Sequence, residues 1–268
     1  MFNYYEGQSI LHQMNPVFKL TSIGLSMILL TFSFDPFVPF TLLITLLLLS
    51  LWLGKVPILA MLKGLLPFIL LAFGFFIMQV VFPRSAGGTE LISLGRLVVY
   101  QETFIRGSAL GFRVLAYAAY SILFVATTDP TELLLSLMQQ TKLPPKYGYS
   151  ILAAYRFFPL YQSEFTTLKE AHQVRGVNER RGFKGKTEQL HRYAIPLLAQ
   201  AIRKAERVAI AMEARGFTGE GNRNYYKRIA VTPIAWLLAI GLLSLVPATI
   251  LIMNHFGLLQ VWDGSLFF

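Results

Sequence analysis

The sequence predicts an all-α membrane protein with about five transmembrane helices and a basic cytoplasmic domain of amphipathic helices inserted before the last span. Three observations carry this. Of the 268 residues, 54% are hydrophobic and only 14% charged, where soluble domains hold about a quarter charged; mean hydropathy is +0.53. The apolar residues come in unbroken runs of about 15 to 25 rather than in periodic stripes, as helices that cross a bilayer require. The net charge of +10 is concentrated in one segment. Residues 130–230 hold 17 Lys and Arg against 8 Asp and Glu, and the remainder 7 against 6. The chain divides accordingly into residues 1–127, 128–230 and 231–268.

The first apolar run is Leu20 to Phe34, closed by Asp35-Pro36. It is short for a core of ~30 Å, so the span is expected to begin at Val17 or Phe18, with Lys19 snorkelling to the interface. The second run is Phe37 to Leu53, ended by Gly54-Lys55-Val56-Pro57. The third, Ile58 to Phe82, contains Lys63 and an interior Pro67 that predicts a kink. Residues 83 to 103 carry Gly87-Gly88, Gly95 and the β-prone Leu97-Val98-Val99-Tyr100, which read as a loop with strand-like pieces. The fourth run is Phe104 to Thr127, interrupted by Arg106 and Arg113, and the fifth is Pro233 to Met253. Trp262, Phe267 and Phe268 in the tail suit an interface. Lys55, Lys63, Lys227 and Arg228 fall on one side of five spans. The positive-inside rule then puts the N-terminus and the basic segment in the cytoplasm and the C-terminus outside. Residues 1–15 lack a basic n-region and a cleavage site, so no removable signal peptide is expected.

Helix punctuation runs through the basic segment. Asp129 to Gln140 predicts a short helix stopped by Leu143-Pro144-Pro145. Lys146 to Gly176 follows, one kinked helix or two, because Pro159 lies inside it. Tyr161, Phe165, Leu168 and His172 make an apolar stripe at helical spacing. Val177 to Lys186 reads as a basic linker, and His191 to Gly216 as the next helix, with Ala201, Ala205 and Ala209 as a small-residue face. Both long helices carry an early Pro-Leu pair, Pro159-Leu160 and Pro196-Leu197, and both end in Arg-Gly.

The absence of cysteine excludes disulfides, thiolate metal sites and cysteine nucleophiles. His12, His172, His191 and His255 have no metal-ligand spacing, so no metal site is expected. The acids of the basic segment do not cluster, and no phosphate loop, nucleophile elbow or triad is visible, so no catalytic residue is assigned. Arg-Gly alone fits an ordinary helix cap, since it occurs at Arg106, Arg175, Arg181 and Arg215. Two such ends on two similar helices also fit plugs for acidic grooves, because the guanidinium pairs bidentately with carboxylates. Arg113 either faces protein or water, or lies close enough to the interface to snorkel.

The stretches Leu143-Pro144, Tyr155-Arg156-Phe157-Phe158-Pro159 and Glu170 to Gly176, with Ile195 to Leu198 and Ala209 to Phe217, carry a resemblance. They are similar to the transmembrane coupling (T) components of energy-coupling factor (ECF) transporters, the EcfT/CbiQ-like family. The family pattern is two Ala-Arg-Gly signatures ending coupling helices. The second is intact as Ala214-Arg215-Gly216, and the first departs as Val174-Arg175-Gly176. The resemblance implies a non-catalytic subunit of a prokaryotic plasma-membrane importer for vitamins or other micronutrients. Its implied partners are two ABC-type ATPase subunits, a small membrane-embedded substrate-binding S component and the lipid bilayer. Nucleic acid is not among them, and no cofactor is bound by this chain: ATP and Mg belong to the ATPases. Arg175, Gly176, Ala214, Arg215 and Gly216 would meet the ATPases. From periodicity, Tyr161, Phe165 and Leu168 are candidates for the S-component interface. A conventional ABC permease binding its own substrate is the alternative, and a membrane-embedded lipid-modifying enzyme a more distant one.

Overall fold

Asn15 and Pro16 start the first long helix earlier than its apolar run does. The Asn15 side chain accepts from the Val17 amide at 3.1 Å and Pro16 takes the first helical position, where its missing N–H costs nothing. The computed structural model describes residues 7, 9–33, 35–82, 90–94, 97–176, 182–219 and 225–257. In order these form α1 (Ile10–Gln13), α2 (Pro16–Thr31), α3 (Phe37–Trp52), α4 (Ile58–Val81), β1 (Glu90–Leu94), β2 (Leu97–Tyr100), α5 (Gln101–Thr127), α6 (Pro130–Gln140), α7 (Pro145–Val174), α8 (Phe183–Ala214) and α9 (Pro233–His255). The chain falls into two compact units, Met1–Ser136 with Ile229–Phe268, and Leu137–Arg228.

In the first unit, α4, α5 and α9 are long and apolar enough to cross a membrane. The other two apolar helices, α2 and α3, have 16 residues each, about 24 Å of rise against a core of ~30 Å. The α2 helix therefore runs earlier and ends sooner than its apolar run, with Phe32 as its last cap. The strand-like pieces expected between the third and fourth spans are realised as an antiparallel hairpin of β1 and β2, irregular between Glu90 and Ile92. The fourth span starts three residues before its apolar run, at Gln101. Trp262, Phe267 and Phe268 lie outside the described residues.

Small residues set the packing of α5. Gly107 and Gly111, four apart, face α4: a Cβ on Gly107 would sit 3.2 Å from the Phe76 ring and 3.3 Å from its carbonyl oxygen, and one on Gly111 3.5 Å from the Ala72 carbonyl. This spacing lets two backbones approach closely where no water drives association. Ala116, Ala118, Ala119 and Ala126 continue the buried surface, and fully buried Leu30, Val38, Leu42 and Leu46 bring α2 and α3 into the same core. Phe76 and Phe104 close the outer part of the α4–α5 contact edge to face at 5.5 Å.

One expectation about polar residues is corrected here, and one open alternative is decided. Lys19 does not snorkel: it is 1% exposed, and its ammonium bonds inside the unit. Arg113 is half-buried and its guanidinium donates to the Ser33 carbonyl at the α2–α3 turn, so protein rather than the interface receives it. One turn on, the Tyr117 hydroxyl meets Met27 O at 3.2 Å and Thr31 Oγ1 at 2.8 Å. With no water at that depth, side chains supply donors for the end of α2.

Gly107→Val forces branched carbons into Phe76 and is expected to destabilise the α4–α5 pair by about 1–3 kcal/mol. A lowered melting temperature of the detergent-solubilised chain would register it, while Gly111→Ala, with ordinary contact distances, stays close to wild type.

Candidate functional site

The second unit is built on α7 and α8. Each is one continuous helix, despite Pro159 and Pro196 in their interiors. The α8 helix begins eight residues before the expected His191. Gly182, at φ 105°, turns the chain into it, and Arg192 bonds Glu188 at 2.7 Å across one turn. Gly185, which reads as linker, is instead a buried helical residue. Residues 177–181 of the expected linker, Arg181 among them, lie outside the described residues.

The two helices run antiparallel. Phe165 and His172 of α7 both stack edge-on against Tyr193 of α8, at 5.4 and 5.5 Å. Earlier on α7, Glu164 pairs with Lys204 at 3.5 Å, and the Lys204 ammonium also lies over the rings of Phe157 and Tyr161, 5.3 and 5.9 Å from their centres. Earlier still, Tyr149 meets Phe217 just beyond α8, at 5.6 Å. Lys204 is thus held by one carboxylate and two aromatic faces, a role that its sequence context did not reveal.

This pairing changes the reading of the apolar stripe. Tyr161, Leu168 and His172 are half-buried and Phe165, 42% exposed, packs on Tyr193. The stripe is turned to α8. Helical spacing shows that a face is apolar but not which neighbour covers it. Of the expected small-residue face only Ala201 is half-buried, whereas Ala205 and Ala209 are exposed. Among the outward apolar residues are Tyr147, Ile151, Tyr155 and Phe158 on α7, and Ile195, Leu198 and Ile202 on α8. Their spacings of three and four place each set on one helical face.

Both Arg-Gly pairs terminate their helices with the same geometry. Arg175 caps α7 and Arg215 caps α8, and each following glycine has positive φ, 71° at Gly176 and 77° at Gly216. The Gly176 amide returns to Gln173 O at 3.0 Å. At α8 the Gly216 amide returns to Glu213 O at 2.8 Å and the Phe217 amide to Met212 O at 2.9 Å, which completes a Schellman motif. Arg175, Gly176, Ala214, Arg215 and Gly216 are all exposed. Nothing lies within 4 Å of where either glycine would carry a Cβ, so the backbone conformation rather than space selects glycine. Because α7 and α8 are antiparallel, the two arginines sit at opposite ends of the pair. From Tyr149, beside the end of α8, to Arg175 is roughly 40 Å of helical rise, less whatever Pro159 bends away. The site is therefore two exposed cations at opposite ends of one antiparallel helix pair.

A second feature, a cavity of about 690 Å³, lies among α3, α4 and α5 of the first unit, lined by Phe37, Phe40, Phe73, Phe76, Phe104 and Phe112 with Asp35 at its edge. Its lining is aromatic and aliphatic and assembles no acid–base pair.

The family model for CbiQ, described as cobalt transport protein, matches residues 7–226. The chain belongs to the CbiQ family. The CbiQ match runs from before α2 to beyond α8 and takes in both Arg-Gly ends. Three relatives are each named energy-coupling factor transporter transmembrane protein EcfT. That of Listeria innocua serovar 6a is 28% identical over 232 residues, 84% of this chain and 86% of the relative. That of Bacillus subtilis strain 168 is 27% identical over 237 residues, 85% and 88%. That of Exiguobacterium sibiricum is 30% identical over 203 residues, 71% and 76%.

Gly176→Ala and Gly216→Ala put a Cβ into the left-handed region and are each expected to cost about 1–2 kcal/mol at the helix end. Faster amide exchange in the last turn of the substituted helix, and not of the other, is the expected readout.

Proposed function

We propose that this chain is the T component of an ECF transporter, an importer subunit that transmits motion without performing chemistry. The observation that carries the reading is the pair of exposed arginines at opposite ends of the antiparallel α7–α8 pair. Two separate cations roughly 40 Å apart suit two separate acidic grooves. The names of the relatives and the extent of the family match point to the same assembly.

In this reading, two ABC-type ATPase subunits take one arginine each. Arg175 and Arg215 enter acidic grooves as planar forks that pair bidentately with carboxylates. ATP and Mg are held by those ATPases, and hydrolysis changes the distance between the grooves. Because α7 and α8 are braced at Lys204, a displacement of either arginine rotates a helix rather than unravelling it. The apolar partner surface of the S component meets the outward faces of Tyr147, Ile151, Tyr155 and Phe158 and of Ile195, Leu198 and Ile202. Phe165 reaches it only at the stripe's edge, and Tyr161 and Leu168 contribute by fixing α8 beneath it. The S component selects the substrate. The division at residues 127 and 230 then separates a membrane-anchoring part from a coupling part.

The N-terminus and the second unit face the cytoplasm, and α9 carries the C-terminus outward. The chain has no cysteine, so a single cysteine at exposed Trp52 should be modified by impermeant maleimide only after inner-face access is opened; modification from outside in intact cells contradicts this orientation.

Arg175→Glu and Arg215→Glu test the plugs. Each is expected to lower ATPase co-purification and substrate uptake by about tenfold or more, the scale of losing a charge-assisted pair. The double variant should abolish both, while Arg203→Ala, an exposed cation elsewhere on α8, leaves them near wild type. Unchanged assembly and uptake in the double variant would refute the plug assignment.

A further inference from the structure

Two chain connections join the first unit to the second: one leaves α5 through Thr128 and passes into α6, where the units meet between Ser136 and Leu137, and the other returns to α9 through Ile229. Consecutive residues of α2 hold the first unit's end of both. The ring of Phe18 meets Trp236, in the first turn of α9, edge to face at 4.5 Å. Met14, just ahead of α2, packs with Ala239 and Leu242 of the same helix. The next residue after Phe18, Lys19, turns to α5. Its ammonium donates to the Thr127 carbonyl at 3.1 Å, the Thr127 hydroxyl at 3.2 Å and the Thr128 hydroxyl at 3.2 Å.

That is one acceptor for each of its three protons. Thr127 is the last residue of α5, so its carbonyl is one of those a helix leaves without an internal partner, and a cation is favoured there. The Asp129 carboxylate then accepts from the Thr131 amide at 2.9 Å and starts α6. A buried ammonium is costly to desolvate, and a position that needed only filling would carry an apolar side chain. The lysine instead joins the base of α2 to the exit of α5.

We propose that Phe18 and Lys19 form a positioning clamp that fixes the spacing between the α5 exit and the α9 entrance. The clamp rests on the coupling reading above: with both connections held, force entering at Arg175 and Arg215 turns the helices instead of being absorbed by sliding of the helix ends. Its distinctive consequence is a loss of coupling without loss of assembly or of ATP hydrolysis.

The test uses the assembled transporter in liposomes, with substrate uptake measured per ATP hydrolysed. Lys19→Met keeps the aliphatic stem and removes all three donors. It is expected to assemble and to hydrolyse ATP within about twofold of wild type while moving about fivefold less substrate per ATP, and Lys19→Arg, which keeps charge and donors, should recover about half. A wild-type ratio in Lys19→Met overturns the clamp. Where Lys19→Met does not assemble, Thr128→Val, which deletes one acceptor, takes its place; a wild-type ratio there overturns it equally. A second measurement is independent of the coupling reading. Nitroxide labels on cysteines placed at exposed Trp52 and Leu190 of the full chain report the distance distribution between the two units. It should broaden in Lys19→Met or Thr128→Val, and an unchanged width also refutes the clamp. Failure of the wild-type chain to associate with any ATPase would instead refute the coupling reading and leave the width measurement to judge the clamp.

Discussion

The Lys204 ammonium lies where α7 and α8 meet, between the Glu164 carboxylate and the faces of Phe157 and Tyr161. Basic amphipathic helices repel one another and have little apolar area to share. A cation placed over two rings and against one carboxylate turns part of that repulsion into attraction. The contact fixes which residues stand opposite, and with Tyr149 against Phe217 on one side of it and His172 against Tyr193 on the other the sense is antiparallel. From that sense follow the placement of Arg175 and Arg215 at opposite ends and the outward direction of Ile195, Leu198 and Ile202. Had the pair been parallel, the two arginines would crowd one end.

The polar side chains buried in the first unit follow a common rule. Arg113 serves the carbonyl of Ser33, Tyr117 that of Met27, Lys19 that of Thr127, and the Ser26 hydroxyl reaches Leu242 O at 3.2 Å. Two of the four acceptors, Ser33 and Thr127, lie at or just past the end of a helix; Met27 lies one turn before the end of α2, and Leu242 inside α9. In water such carbonyls are solvated without cost, but in hydrocarbon each must find a donor within the protein. Two of the donors are long cationic side chains, Arg113 and Lys19, and two are hydroxyls, Tyr117 and Ser26, that reach a neighbouring helix packed close by. The exit of α2 is accordingly closed by Arg113 of α5.

Much of this architecture was legible in the sequence. Long apolar runs between Pro and Asp-Pro breaks located α3, α4, α5 and α9 to within a few residues, since composition alone decides which segments tolerate lipid. Arg-Gly located the ends of α7 and α8, since a positive-φ residue after the last turn is nearly always glycine. What escaped were features that depend on a distant neighbour. Lys19 looked like an interface residue and Arg113 stayed open between protein and interface, because nothing local reveals Thr127 or Ser33 opposite them. The Tyr161 stripe was visible, but α8 as its cover was not. The start of α8 was missed because Gly185 and the surrounding lysines read locally as linker, whereas Gly185 is a buried helical residue.

The terminating glycines have a consequence for how such a chain can vary. Each arginine is presented by the residue count of its helix: one residue more or less before Gly176 or Gly216 shifts the guanidinium by about 1.5 Å and swings it by about 100° around the axis. Substitutions along α7 and α8 leave that aim untouched. Relatives at 26–30% identity are therefore compatible with a preserved lever, whereas a single-residue deletion between Lys204 and Arg215 would redirect it. In this unit, variation is cheap in the identity of residues and severely limited in their number.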